Sequence, residues 1–186
     1  MSNVLTKVFL VLLLLKLSTN SNASKAARNL AFSLSYMNLT YGEKDIFSEF
    51  KYKFYNEKRK VKIVIEFKVK ENVTSYDLHS SIDLLRGDDS RLNLMKVPVN
   101  GCQLGKLGTI ANSMLGVFFR ELRRISNLPL RCPLYANKLY YLRNYTINPD
   151  SFPPITIPMQ WILTIQIFQK KNYVGTLYFH GKFYIV

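Results

Sequence analysis

Histidine is scarce in this 186-residue chain: there are two, with two cysteines, one tryptophan and 12 acidic residues. A structural zinc site draws about four ligands from Cys, His and acidic side chains. Neither His79 nor His180 is spaced to join Cys102 and Cys132 in such a site, so no metal or other cofactor is expected. The motifs of common enzymes are missing as well. The chain has no Gly-x-Ser-x-Gly elbow, no phosphate-cradling glycine loop, no His-Glu-x-x-His pair and no cysteine nucleophile with a partner. Acid pairs such as Asp77 with Asp83 or Asp88 with Asp89 stand in no recognisable hydrolase motif. The chain is therefore read as a non-enzyme. Internal repeats and low-complexity tracts are also lacking, which excludes solenoids and leaves one domain.

Long apolar runs are confined to the start. Lys7 is followed by an apolar stretch over residues 8–15 and then by small polar residues ending in Ser21-Asn22-Ala23. This is the layout of a secretory signal peptide over residues 1–23, and the run falls well short of the ~20 residues of a transmembrane helix. The expectation is an extracellular, secreted protein with a single domain over residues 24–186.

What is plentiful is positive charge and aromatic surface. The chain carries 26 Lys and Arg, 12 Phe and 12 Tyr, for a formal net charge of +14. Basic proteins invite a nucleic-acid reading, but an exported chain without zinc-ligand spacing or an RNA-recognition signature does not support one. Many cations alternate with apolar residues between Lys51 and Lys70, the pattern of a solvated sheet face. Attraction to anionic head groups or glycans is the sharper alternative. In an oxidising compartment Cys102 and Cys132 are expected to form a structural disulfide. Sequons stand at Asn22, Asn38, Asn72 and Asn144, the first too close to the cleavage point for use. Asn72 is the best acceptor, in an exposed turn. Asn38 shares parity with Phe32, Leu34 and Tyr36, so a regular strand would turn it inward unless a bulge intervenes.

The dominant periodicity is two, the mark of half-buried strands. Val61, Ile63, Ile65, Phe67 and Val69 alternate with Lys60, Lys62, Glu66, Lys68 and Lys70. With Phe50, Tyr52 and Phe54 before a polar turn, they predict a hairpin. Strands are expected near 31–40, 74–85, 93–99 and 139–147, with a charged loop containing Arg86-Gly87-Asp88 between the second and third. The prolines at 149, 153, 154 and 158 forbid helix and regular central strand. A second hairpin follows, from Trp161, Leu163, Ile165 and Ile167 through Leu177, Phe179, Phe183 and Ile185. Only residues 104–126 change period. There Ile110, Ala111, Met114, Phe118, Leu122 and Ile125 recur at three and four, predicting one amphipathic helix between the two cysteines. Seven or eight strands with one helix make a mainly β protein, an antiparallel β-sandwich or cup.

Several strings carry a resemblance: Asn100-Gly101-Cys102, then residues 127–133 (Asn-Leu-Pro-Leu-Arg-Cys-Pro), residues 140–145 (Tyr-Tyr-Leu-Arg-Asn-Tyr), residues 153–158 (Pro-Pro-Ile-Thr-Ile-Pro) and Trp161. In these the chain resembles a large insect family of secreted proteins of unknown function, and within it the chemosensory CheB branch. It departs at Asn137 and Gln160, in regions where many relatives carry glycine. The resemblance implies kinship with the ganglioside activator and ML-type lipid-recognition domains, hence a lipid-holding β cup and a role in sensing or carrying pheromone-like lipids.

Two functions compete. The first is binding of a small hydrophobic molecule or lipid between splayed sheets. Its pocket would take Met114, Phe118 and Leu122 from the helix and Trp161, Leu163 and Phe179 from the last hairpin, with Tyr140 or Tyr141 at the mouth. The second is an extracellular interaction protein with a solid core, engaging a membrane receptor, channel or other protein through its basic face. Periodicity does not distinguish a filled interior from a hollow one.

Overall fold

The computed structural model describes residues 30–85, 90–104, 114–147 and 158–186. The leader at 1–23, the Arg-Gly-Asp loop and most of the proline-rich stretch lie outside them. Eight strands form two antiparallel sheets: β1 (Leu30–Tyr41), β2 (Phe47–Glu57), β3 (Lys60–Val69), β4 (Asp77–Leu85), β5 (Arg91–Asn100), β6 (Tyr140–Ile147), β7 (Met159–Gln169) and β8 (Asn172–Ile185). The larger sheet has the order β1-β8-β7-β4-β5 and the smaller β2-β3-β6. This is a β-sandwich, as the alternation requires.

The two expected hairpins are present, and their turns are tighter than the polar tetrapeptides imply. Glu57 pairs with Lys60 and Gln169 with Asn172, so each connection is two residues long. Lys170 and Lys171 both have positive φ, 49 and 69. Two consecutive left-handed residues match the right-handed twist of the flanking strands, a geometry that Asn-Gly adopts far more readily than Lys-Lys. Asn137 has φ 59. Asparagine is among the few residues that accept this conformation.

Strand β1 has the bulge that was one alternative for Asn38. Its register with β8 slips between Leu34 and Tyr36. The slip inverts the parity: Phe32 and Leu34 are buried before it, Met37 and Leu39 after it, while Tyr36 faces solvent. Asn38 is thereby carried off the inward face and lies half-buried, its Oδ1 accepting from the Tyr52 hydroxyl at 3.4 Å. The bulge also frees backbone groups, and Asn56 of β2 takes them up. Leu34 N–H donates to Asn56 Oδ1 at 2.8 Å, and Asn56 Nδ2 donates to the Leu34 carbonyl at 2.9 Å. With Phe32 N–H on the Arg59 carbonyl at 3.2 Å, these bonds fasten the edge of one sheet to the edge of the other.

The other side of the sandwich is assembled differently. The helix α1 is described over Met114–Ile125, within the expected 104–126; a 3-10 turn occupies Gly101–Gln103, and residues 105–113 lie outside the described residues. Directly after α1, Ser126 bridges Leu142, and Asn127 completes the edge of β6. The Asn127 Oδ1 accepts from Tyr141 N–H at 2.7 Å, and its Nδ2 donates to the Leu139 carbonyl at 2.9 Å. Among the described residues strand β5 pairs only with β4, and Lys96 and Pro98 are exposed on it.

Cys102 and Cys132 form a disulfide with Cα atoms 5.0 Å apart. The residues before it explain the Asn-Gly-Cys string. Asn100 Oδ1 accepts from Cys102 N–H at 3.0 Å, capping the 3-10 turn. Gly101 lies against the Tyr76 ring so closely that a Cβ there would come within 1.9 Å of a ring carbon.

Candidate functional site

The interior holds two buried clusters. One gathers Phe32, Leu34, Met37, Val61, Ile63, Leu84, Tyr145, Trp161, Phe179 and Phe183; the other gathers Leu39, Ile46, Phe47, Val69, Val73, Leu134, Tyr140, Ile167 and Val174. The sheets do not interdigitate throughout. Between them is a cavity of about 320 Å³ whose wall is almost wholly apolar. The solid core of the competing reading is therefore not what these sheets enclose.

Strand parity sets the walls except in β6, where Asn144 has φ 57 beside a register shift and both Leu142 and Tyr145, three residues apart, face the cavity. Leu78, Ser80 and Ile82 of β4, Met95, Val97 and Val99 of β5, and Trp161, Leu163, Ile165 and Ile167 of β7 line the larger sheet. Ile63, Ile65, Phe67 and Val69 of β3, with Leu142 and Tyr145 of β6, line the smaller one. Leu104, Leu122, Leu128 and Leu134 contribute from the connections and α1. At one end Phe47, Phe50, Phe67 and Tyr140 meet ring to ring, with Phe67 and Tyr140 stacked at 5.5 Å. At the other, Trp161 stacks on Phe32 at 4.6 Å. Its indole lies across Gly181, where a Cβ would fall 2.3 Å from a ring carbon, so β8 must be bare at that point.

Lining residues with a polar side-chain atom are few and neutral: Tyr76, Ser80, Tyr145 and Trp161. Burial, followed by the neighbouring Tyr140, pushes the Tyr76 phenol up to about 12. Burial, followed by the Glu121 carboxylate, likewise raises Tyr145 well above the ordinary phenol value. Trp161 is 4% exposed, and its Nε1 has no hydrogen-bond partner among the described residues.

Of the residues expected to form the pocket, the structure brings Leu122, Trp161, Leu163 and Phe179 to the cavity wall. The side chains of Met114 and Phe118 lie outside the described residues. The two tyrosines are placed elsewhere. Tyr140 is fully buried in the aromatic end, its hydroxyl accepting from Tyr135 N–H at 2.7 Å. Tyr141 pairs across from Glu66 on the outer face, under the Arg143 guanidinium at 4.3 Å. Parity is the reason: adjacent residues face opposite sides, and Tyr140 belongs to the packed end rather than the hollow. Of the tyrosines that do line the cavity, Tyr76 lies between strands and Tyr145 follows the β6 irregularity at Asn144, so neither carries a distinguishing sequence signal.

Outside the cavity, the basic face is laced with ion pairs. Lys51 and Lys68 meet Glu49, Lys62 meets Glu57, Lys70 meets Asp45 and Arg143 meets Glu66. The lysines hold the Glu49 carboxyl down to about 2. His79 is exposed on β4, opposite in parity to the cavity-lining Leu78 and Ser80, and His180 Nε2 sits 2.9 Å from Gln160 Oε1. Neither converges with a carboxylate in a cleft. No group of metal-binding side chains occurs among the described residues, and no described helix is long and apolar enough to cross a membrane.

Residues 78–163 match the family described as "Protein of unknown function (DUF1091)". That span includes Asn100-Gly101-Cys102, Cys132-Pro133 and Trp161. No curated protein matches the chain. Among solved structures, chicken MD-1 complexed with lipid IVa matches with 14% identity and a TM-score of 0.41, covering 84% of this chain and 92% of that one.

Proposed function

We propose that this chain is a secreted, non-enzymatic binder or carrier of a small hydrophobic molecule, held between the two sheets. The observation that carries this reading is the apolar cavity of about 320 Å³, at the lower end of the size range of ligand pockets. An apolar cavity of about half this size stays dry and takes up small apolar guests. At about 30 Å³ for a group the size of a water or methylene, the space suits a chain of about ten carbons. Burying ten methylenes at about 0.8 kcal/mol each gives roughly 8 kcal/mol before ordering costs, so affinity for a plain chain is micromolar at best. The chemosensory role implied by the CheB resemblance belongs to the same reading, with a receptor or channel as the recipient of the loaded carrier. Removal of residues 1–23 would deliver the domain to the extracellular space. There the exposed Asn72 and Asn144 are its glycan acceptors, and the half-buried Asn38 is the poorer one.

The test is native mass spectrometry of protein made through a secretory pathway, with displacement of a fluorescent alkyl probe. Co-purifying lipid and micromolar displacement are expected, both lost in Val97→Phe, which fills the hollow from β5. Absence of retained lipid together with an undisplaced probe overturns the proposal.

A further inference from the structure

We infer that the end of the sandwich at the β2–β3 turn binds a linear sulfated polysaccharide outside the cell. This surface is separate from the cavity and takes from the reading above only that the domain is exported. Along the body of the basic face the cations meet carboxylates, as Lys51 and Lys68 do at Glu49 and Lys70 does at Asp45. At the turn they outnumber them. Residues 52–64 hold Lys53, Lys58, Arg59, Lys60 and Lys62 against Glu57 alone, and residues 176–186 of β8 add Lys182 and no acid. None of these cations lines the cavity.

The two segments meet. The Lys58 carbonyl accepts from the Tyr184 hydroxyl at 2.9 Å, and the Arg59 carbonyl accepts from Phe32 N–H at 3.2 Å, so the turn is pinned to β8 near Lys182 and to β1. Parity then sets the shape of the patch. Lys60 and Lys62 alternate with the buried Val61 and Ile63 and stand on the outer face of the smaller sheet, while Lys182 precedes the buried Phe183 and stands on the outer face of the larger one. Packed sheets lie about 10 Å apart, and the turn carries Lys58 and Arg59 across that gap. The cations therefore form a track over the end of the sandwich. A bilayer laid on either face leaves the other face's lysine in water, whereas an extended polyanion follows the track and sheds counterions along it. For an exported domain that polyanion is a sulfated polysaccharide. Lys58 is held at φ 40, where glycine or asparagine sits with less strain. Lysine there forgoes stability and supplies a charge.

The full-length secreted protein is titrated with a fluorescent heparin octasaccharide at about 0.15 M salt. Binding is expected, and it weakens steeply as salt is added. The combined variant Lys53→Gln, Lys60→Gln and Lys182→Gln lowers affinity by about tenfold or more. Lys58→Gly lowers it by about threefold while the urea midpoint holds, which separates lost charge from lost folding. The comparison variant, Lys170→Asn with Lys171→Gly, removes two cations from the turn at the other end of β8 and leaves affinity within about twofold. Similar losses at the two ends reduce the effect to net charge and overturn the inference. Tighter binding of single-stranded DNA of matched charge, or of phosphatidylserine vesicles, overturns it too, as does no binding of heparin at that salt. Affinity for the alkyl probe is unchanged in every variant. Failure of that probe to bind the unaltered protein overturns the carrier reading and leaves this surface standing.

Discussion

The two sides on which the sheets meet are held by different kinds of bond. Along β1 and β2 the closure is polar and local, with the Asn56 amide filling both backbone positions exposed by the β1 bulge and Tyr52 reaching Asn38. On the side of β5 and β6 the described elements are a disulfide, a 3-10 turn, a helix and the Ser126–Leu142 bridge. A seam of paired hydrogen bonds opens only by exposing donors and acceptors. A seam made of a helix packed on a strand opens by sliding apolar surface, with its flanks still anchored by the cross-link. On the proposed carrier reading, the second side is the one expected to open for a ligand while the first stays fixed.

Breaking the disulfide gives the largest expected effect. Replacing Cys102 and Cys132 by serine should cost about 3 to 4 kcal/mol on the chain-entropy account, read as a lowered urea midpoint, and should also speed probe exchange. Alkaline titration comes next. Tyr76 has a folded-state pKa raised from 10.0 to about 12, so its contribution is fully present below pH 10. It is lost as pH rises toward 12, because the unfolded chain releases the proton first. The loss is about 3 kcal/mol, seen as stability falling ahead of Tyr76 ionisation in tyrosinate absorbance. Asn56→Ala follows, at about 2 kcal/mol, because the Leu34 N–H and carbonyl are left unpaired in a partly buried place. This substitution should leave the rate of probe exchange unchanged, and a faster exchange would abolish the distinction between the two seams. The smallest effect is a gain. Lys170→Asn with Lys171→Gly relieves two left-handed lysines remote from both seams and should stabilise by about 1 kcal/mol in the same urea assay, with no change in binding.

Much of the architecture was legible in the alternation of Val61 to Val69 and of Trp161 to Ile167, because a strand buried on one face must alternate. The helix and the cysteine pair were legible for equally direct reasons of period and compartment. A bulge was legible in β1 only as a condition on Asn38, since the Asn56 amide that takes up its backbone groups is over 20 residues away in sequence, and a one-residue slip reverses every assignment beyond it. Pocket residues on β7 and β8 followed from parity, whereas Tyr140 and Tyr141 did not, because parity assigns a face and says nothing of whether that face is filled. The hollow itself is a property of the distance between two sheets, and no local pattern in either one encodes it.

Strand β5 ends the larger sheet, and Lys96 and Pro98 are exposed on it. A bare strand border can zip onto another copy of a chain and extend into fibrils. Proline offers no amide hydrogen to a newcomer, and a lysine ammonium would have to be dehydrated against it. These two residues make this border a poor template for a second copy.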